Sequence, residues 1–312
     1  MNERQAKVLE LVTESHIDSA RPVASSAIAE LLGVSSATVR NDFSALEEEG
    51  FLHQPHTSAG RVPTSFAYEQ YAKKFIPPGR LSIVQRQLLL AQLQDSHGET
   101  LLQRIADVTA ELSGYAVVVS LPADDSLRAL EIHLSVVSST KLLAVVILEN
   151  GLIRQIAVDL DPTPSDDVLR DAESSLRSLA VPVGELSKGL KDIAKRTDPD
   201  LADTLNALAD ALTQIGPPKL FSQGLRHLLS EPESEDPNFI RTVLERVENP
   251  EQHDGDDLVI VLGDILANVS ARLPFGTIPG GLVIVGPTRM RYKEALTVAN
   301  GVTKVVAEQL LN

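Results

Sequence analysis

Cysteine is absent from the 312-residue chain. Disulfides, thiolate nucleophiles and Cys-based zinc sites are excluded with it, and a reducing cytoplasm is the expected compartment. Long apolar runs are missing as well. The opening MNERQAKVLE has no h-region of the signal-peptide type, and a run such as LLAVVIL (Leu142 to Leu148) is far too short to span a bilayer. A soluble protein without a membrane attachment is expected. Positive charge is scarce: 28 Lys and Arg stand against 43 Asp and Glu, a formal net charge of -15. Such a surface cannot grip nucleic acid all over, because phosphate would be repelled by most of it. The deficit is uneven. Residues 1 to 80 carry 8 basic against 10 acidic side chains, and from Gly50 to Arg80 the balance reverses, with Arg61, Lys73, Lys74 and Arg80 against Glu69 alone. The length allows two or three domains.

What is present begins with a run of short helices. Asn2 and Gln5 read as a capping box, and Ala6, Val8, Leu9, Val12 and Ile17 recur at helical spacing, predicting a first helix to about His16. Pro22 breaks the chain. Ser25 reads as the N-cap of a second helix that Gly33 ends, and Ser35 as the cap of a third. On that third helix Val39, Phe43 and Leu46 form the core stripe, while Ala37, Asn41 and Ser44 point the opposite way with Thr38 and Arg40 on the flanks. Taken alone, this face is either an ordinary solvated one or the reading face of a helix-turn-helix. In the second case Arg40 suits guanine, Asn41 adenine, and Ala37 or Thr38 a thymine methyl. Gly50 stops the helix, FLHQ and RVPT read as short strands, and PHTSAG is the tip between them, which predicts a winged helix. His56, Thr57, Ser58 and Arg61 would supply phosphate donors from the wing. The full set of candidate DNA contacts is Ser25, Ser36, Thr38, Arg40, Asn41, Ser44, His56, Thr57, Ser58 and Arg61.

SSATVRND, LEEEGFLHQPHTSAGRVPT and the tyrosines of SFAYEQY resemble the signature of the heat-inducible transcription repressors, the HrcA family. Far downstream GTIPGGLVIVGPTRMRY (Gly276 to Tyr292) is similar to that family's carboxy-terminal motif. The resemblance covers the first 75 residues closely, the last 40 or so well, and the middle only in pattern. It implies an α+β protein: an N-terminal winged helix-turn-helix and a GAF-like antiparallel domain interrupted by a helical dimerising insertion. It further implies a homodimer on double-stranded DNA at the CIRCE inverted repeat of chaperone operons, with the GroE chaperonin helping the repressor reach its active fold.

The remaining pattern fits that outline. Pro77-Pro78-Gly79 marks a boundary, and Leu81 to Gly114 is helical. YAVVVSLP, ALEIHLSVVSST, KLLAVVILEN and GLIRQIAVDL read as four successive antiparallel strands, with a hairpin turn at Glu149-Asn150-Gly151. Residues 164 to 211 turn helical and acidic, SEPESEDPNF and ENPEQHDGDD read as polar loops, and DLVIVLGDIL and GGLVIVG precede a closing helix from Tyr292. The expected division is a winged helix over 1–78, a linker helix region over 79–110, a GAF-like domain over 111–185 and 256–312, and a dimerising insertion over 186–255.

No catalytic case arises. His53 and His56 form an HxxH without a supporting ligand motif, so a phosphate or backbone contact is preferred over metal for His56. The glycines of Pro279 to Gly286 lack a following GK[ST] and read as tight strand turns. Arg289 is either the anion-facing cation of a ligand pocket or a structural ion pair, the second being simpler. The paired acids Asp124-Asp125, Asp166-Asp167 and Asp256-Asp257 read as solvating charges or caps. No enzyme activity, cofactor or metal is assigned. A rival reading stays open, in which a winged-helix regulator senses a small metabolite through its GAF-like body.

Overall fold

The computed structural model describes every residue except 57–58, 122–123, 150, 214–218, 251–257, 276–278 and 311–312. At the amino terminus, α1 (Glu3–Ser19) opens on the capping box, with the Gln5 amide donating to Asn2 Oδ1 at 2.9 Å and the Asn2 amide to Gln5 Oε1 at 2.7 Å. It outruns the sequence expectation by one turn and stops where Ala20 turns left-handed at φ 53°. α2 (Ser25–Leu32) and α3 (Ser36–Glu48) are separated by Gly33 at φ 66°, a conformation that costs glycine nothing. β1 (Leu52–His53) and β2 (Val62–Pro63) pair antiparallel, and α4 (Ser65–Lys73) follows. Val8, Val12, Ile28, Val39, Phe43 and Leu46 are buried together at the centre of this winged helix-turn-helix. Ser25 is not the cap expected of it: Ala24 holds that position without a side-chain bond, and Ser25 is the first helical residue.

The body is α+β. After α5 (Ile83–Leu93) and α6 (Gly98–Ser113) comes β3 (Ala116–Leu121), then β4 (Ala129–Ser138), β5 (Lys141–Leu148) and β6 (Ile153–Asp159). Three helices follow: α7 (Asp166–Ser178), α8 (Val183–Ala194) and α9 (Pro199–Leu212). The chain then runs through β7 (Lys219–Gln223), α10 (Leu225–Leu229), α11 (Pro237–Glu248), β8 (Leu258–Leu262), β9 (Leu266–Leu273) and β10 (Gly280–Pro287) to α12 (Tyr292–Leu310).

The four strands read as one meander divide between two sheets. β4, β5 and β6 form a three-stranded sheet of their own, whereas β3 lies inside a five-stranded antiparallel sheet of order β7-β3-β10-β9-β8. Burial explains the split. All six residues of β3 are buried, so AVVVSL has no polar face to offer solvent and takes a central place. β5 instead alternates, burying Leu142, Ala144, Val146 and Leu148 and leaving the residues between them half-covered. The chain leaves the larger sheet after β3 and rejoins it at β7, so the intervening unit runs from β4 to α9 rather than over 186–255. The expected border at 185/186 cuts α8, and β7, α10 and α11, expected within the insertion, belong to the larger sheet's surroundings. Strand periodicity says where a strand is, not which strand it joins.

SEPESEDPNF is likewise more than a loop. Asp236 accepts from the Asn238 amide at 2.8 Å and caps α11, which buries Phe239 and Val243 against the body. α10 packs against β3, α11 against β9 and β10, while α6 and α12 pack on one another and on β3 and β9. The cores do not divide where the composition does. Ile17 of α1 and Tyr68 and Ala72 of α4 are buried with the body's core, although their helices belong to the winged helix.

Candidate nucleic-acid interface

Ser35 starts α3 by accepting the Thr38 amide at 3.1 Å, and its hydroxyl meets Thr38 Oγ1 at 2.9 Å. Thr38 is thus partly committed to the cap. Beyond it Ala37, Arg40, Asn41 and Ser44 are exposed and Ser36 is half-exposed, all within the first nine of the helix's 13 residues. Ser44 donates its proton to the Arg40 carbonyl at 3.1 Å, which leaves its lone pairs outward. Ser25 lies beside this face, accepting a long 3.4 Å contact from Arg40 Nε. The first turn adds the positive end of the helix dipole, which favours phosphate. α3 therefore offers a guanidinium, an amide and hydroxyls on one open surface.

The same helix carries acids, and the structure neutralises most of them internally. Asp42, 2 % exposed, accepts both Arg4 Nε at 2.9 Å and Arg4 Nη2 at 3.0 Å. Glu49 faces the terminal amine of Met1 at 3.3 Å, and Glu47 meets Arg61 Nη2 at 2.9 Å. The Arg4–Asp42 fork, which locks α1 to α3, escaped sequence reasoning. Its signal was available: Asp42 stands inside the core stripe of Val39, Phe43 and Leu46, and a buried carboxylate requires a partner.

On the wing, His56 is exposed and its carbonyl accepts the Ala59 amide at 2.8 Å. Thr57 and Ser58 lie outside the described residues. Arg61 departs from the expectation of a phosphate donor. Its side chain is 16 % exposed, and its Nη2 is paired with Glu47 at the end of α3. The backbone of Arg61 also exchanges two 2.9 Å hydrogen bonds with Val23 and so fixes the wing's base to the α1–α2 connection. Arg61→Ala is accordingly expected to weaken binding to all duplexes while leaving the log–log salt slope unchanged, because no phosphate contact is removed. A salt titration of both proteins checks this; a slope smaller by about one unit would return Arg61 to the phosphates.

Arg289 resolves as an ion pair. It is 8 % exposed and bound to Glu231 and Glu233, and Nη1 donates to the Ile17 carbonyl of α1 at 3.0 Å. Beside it a cavity of about 530 Å³ opens between winged helix and body, lined by His53, Ser65, Tyr68, Asp236, Asp264 and Thr288 among others. His16, on the same wall, meets Tyr68 Oη through Nδ1 at 2.6 Å. Burial, then the nearby Arg289 charge, holds its imidazole down to about 4 against the opposing pull of Glu233, with His53 adding a smaller push in the same direction. The unfolded chain takes that proton near pH 6.5 and the folded one only near 4. The contribution, on the order of 1 to 2 kcal/mol after solvent screening, is therefore complete above pH 6.5 and lost as the pH falls toward 4. Denaturant unfolding of His16→Phe across that window is expected to show a flatter pH dependence.

Comparison with known proteins agrees with this architecture. Residues 4–64 match the family model for the DeoR-like helix-turn-helix domain, and residues 99–296 match the one described as HrcA protein C terminal domain. The heat-inducible transcription repressor HrcA of Shouchella clausii is 29 % identical over 340 residues, covering 99 % of this chain and 98 % of its own. That of Parafrankia sp. is 30 % identical over 339 residues and covers 99 % of each. A crystal structure described only as a hypothetical protein at 2.2 Å resolution superposes with a TM-score of 0.69 at 22 % identity, over 99 % of this chain and 98 % of that one. Among the described residues no helix is long and apolar enough to cross a membrane. Winged helix in front, family match through most of the body, and relatives similar from end to end, the chain belongs to the HrcA family of heat-inducible, DNA-binding transcription repressors.

Proposed function

We propose that this protein represses chaperone operons from the cytoplasm by binding the CIRCE inverted repeat as a homodimer, one winged helix in each half-site, and that heat withdraws it. The observation that carries the reading is the open polar face of α3. Arg40 reads a guanine through its two-pronged guanidinium, Asn41 an adenine, and Ala37 or Thr38 a thymine methyl. Ser25, Ser36, Ser44, His56, Thr57 and Ser58 hold phosphates and position the helix without specifying sequence. Arg61 acts from beneath, by holding the wing. The overall negative charge keeps nonspecific affinity low, so that occupancy depends on assembled protein.

A twofold operator calls for a twofold protein. The outer face of the β4–β6 sheet supports that pairing: Leu143, Val145 and Ile147 are only half-covered there, and Ile153 beside Ile147 is 57 % exposed. A second copy of the chain is the occupant, and sedimentation of the purified protein measures it. Dependence on the GroE chaperonin also has a physical basis. The larger sheet, which we read as the GAF-like domain, joins residues near 118 to residues near 283 across the intervening β4–α9 stretch. Such long-range pairing folds slowly and leaves strand edges exposed meanwhile.

The test is a salt-titrated binding assay on the CIRCE repeat and on a scrambled duplex, before and after heating, with and without chaperonin. Tight binding to the repeat alone, lost on heating and recovered with chaperonin, is the expected result. Equal weak binding to both duplexes by dimeric protein would defeat the reading. In the same assay Arg40→Ala is expected to lose roughly 1 to 3 kcal/mol on the repeat and to relax base preference at one position of each half-site.

The cavity between winged helix and body favours a second reading, in which a small metabolite lodges there and regulates DNA release. A thermal-shift screen tests it. A metabolite that both stabilises the protein and changes operator release would support this reading over heat control.

A further inference from the structure

One buried cation ties three separate stretches of chain together where the winged helix meets the body. Arg289 follows β10; its Nε donates to Glu233 Oε1 at 2.6 Å, and its Nη2 donates to Glu233 Oε2 at 2.8 Å and to Glu231 Oε2 at 2.5 Å. Both acids stand in the turn that precedes α11. The remaining arm, Nη1, reaches the Ile17 carbonyl in the last turn of α1, where helix carbonyls lack intrahelical partners and the dipole favours a cation. A planar guanidinium with its donors at fixed angles sets direction as well as distance. The apolar contacts around it, from Ile17, Tyr68 and Ala72, supply adhesion without a comparable sense of direction.

This mount does not cover the reading face. α3 packs on α1, α2 and β1, and Arg40, Asn41 and Ser44 stay exposed while the winged helix is held against the body. The clamp thus fixes where the reading helix points and leaves it free to read. In a dimer, two fixed mounts give two reading helices one separation and one relative rotation. On DNA, each added base pair shifts the second half-site by roughly 3.4 Å and rotates it by roughly 35°.

We propose that Arg289 is a positioning residue that sets which half-site spacing the dimer accepts. It touches no DNA and acts through α1. The inference rests on the reading of a dimer on an inverted repeat. With the clamp intact, a wrong spacing lets only one winged helix engage, and the gain from bivalency is lost. With the clamp broken, the winged helix swivels on its apolar seat and follows the displaced half-site.

The experiment measures binding of the full-length protein to duplexes whose half-sites are moved apart or together one base pair at a time, and to a duplex with a single half-site. The wild type is expected to show one optimum, with a loss of about a hundredfold two base pairs away. Arg289→Met is expected to bind less tightly at the optimum but to lose only about threefold at the same displacement. Its affinity for the single half-site stays at the wild-type value, which a general loss of folding would not allow. Glu233→Gln, which removes only charge from a side chain 30 % exposed, carries the test if Arg289→Met fails to fold. Arg289→Lys, a point charge without the fork, is expected to fall between. A sharp, unshifted optimum in folded, dimeric variants would overturn the proposal, as would tighter binding to every duplex including the single half-site, the mark of a restraint on DNA binding. A wild type that is monomeric or indifferent to spacing would remove the dimer reading itself, a failure visible before any variant is made.

Discussion

Phe239→Ala is expected to lower the stability of the body by about 3 to 5 kcal/mol, the range for emptying a buried phenylalanine site. Phe239 is 1 % exposed and holds α11 on the larger sheet, so its loss leaves a void under the helix that carries the turn of Glu231 and Glu233. For a chain of this size the melting temperature should fall by roughly 10 °C. Phe239 lies outside α3 but lines the cavity beside Glu233 and Arg289, so operator affinity at low temperature should fall no further than in Arg289→Met. Release of DNA on heating should move down with the melting transition. Calorimetry beside a temperature series of operator binding reads both. If melting falls while release stays where it was, the heat sensor lies outside the body.

Gly60→Ala carries the largest expected effect on the wing. A Cβ built at Gly60 would lie 2.2 Å from the Val23 carbonyl oxygen and 2.4 Å from its carbon, both main-chain atoms that no rotamer change can move aside. The paired hydrogen bonds between Val23 and Arg61 must open to admit it. The expected cost is about 1 to 3 kcal/mol of stability. Because the wing's base moves, affinity for the repeat and for a scrambled duplex should drop by a common factor, on the order of tenfold or more. Unchanged nonspecific binding in folded Gly60→Ala would show that the wing does not touch the backbone.

The contrast between the two ends of the chain explains what could be read in advance. The Asn2 and Ser35 caps, the left-handed Gly33 and the short hairpin after Gly50 are local: each is decided within a few residues, and sequence shows them directly. The exposed set on α3 followed from the same helical period. The contacts of Arg61, Asp42 and Arg289 were hidden for the opposite reason, since their partners at Glu47, Arg4 and Glu231 with Glu233 are chosen by tertiary packing. The sheet was misjudged likewise, because β3 and β10 carry no mark of one another. α11 was concealed by composition: Pro, Glu, Ser and Asp announce a loop, and only Phe239 and Val243, one turn apart, betray a buried face.

The shared burial of Ile17, Tyr68 and Ala72 means that the winged helix is not an exchangeable cassette. Cutting the chain after residue 78 would bring those side chains into water, so a fragment made that way would be stickier than its own sequence implies. Grafting another family's reading helix is better done within α3, inside the Val8 to Leu46 core, than by swapping everything before the linker. A lineage that changes its operator would, on these grounds, alter a few exposed positions on one helix and leave the seam alone.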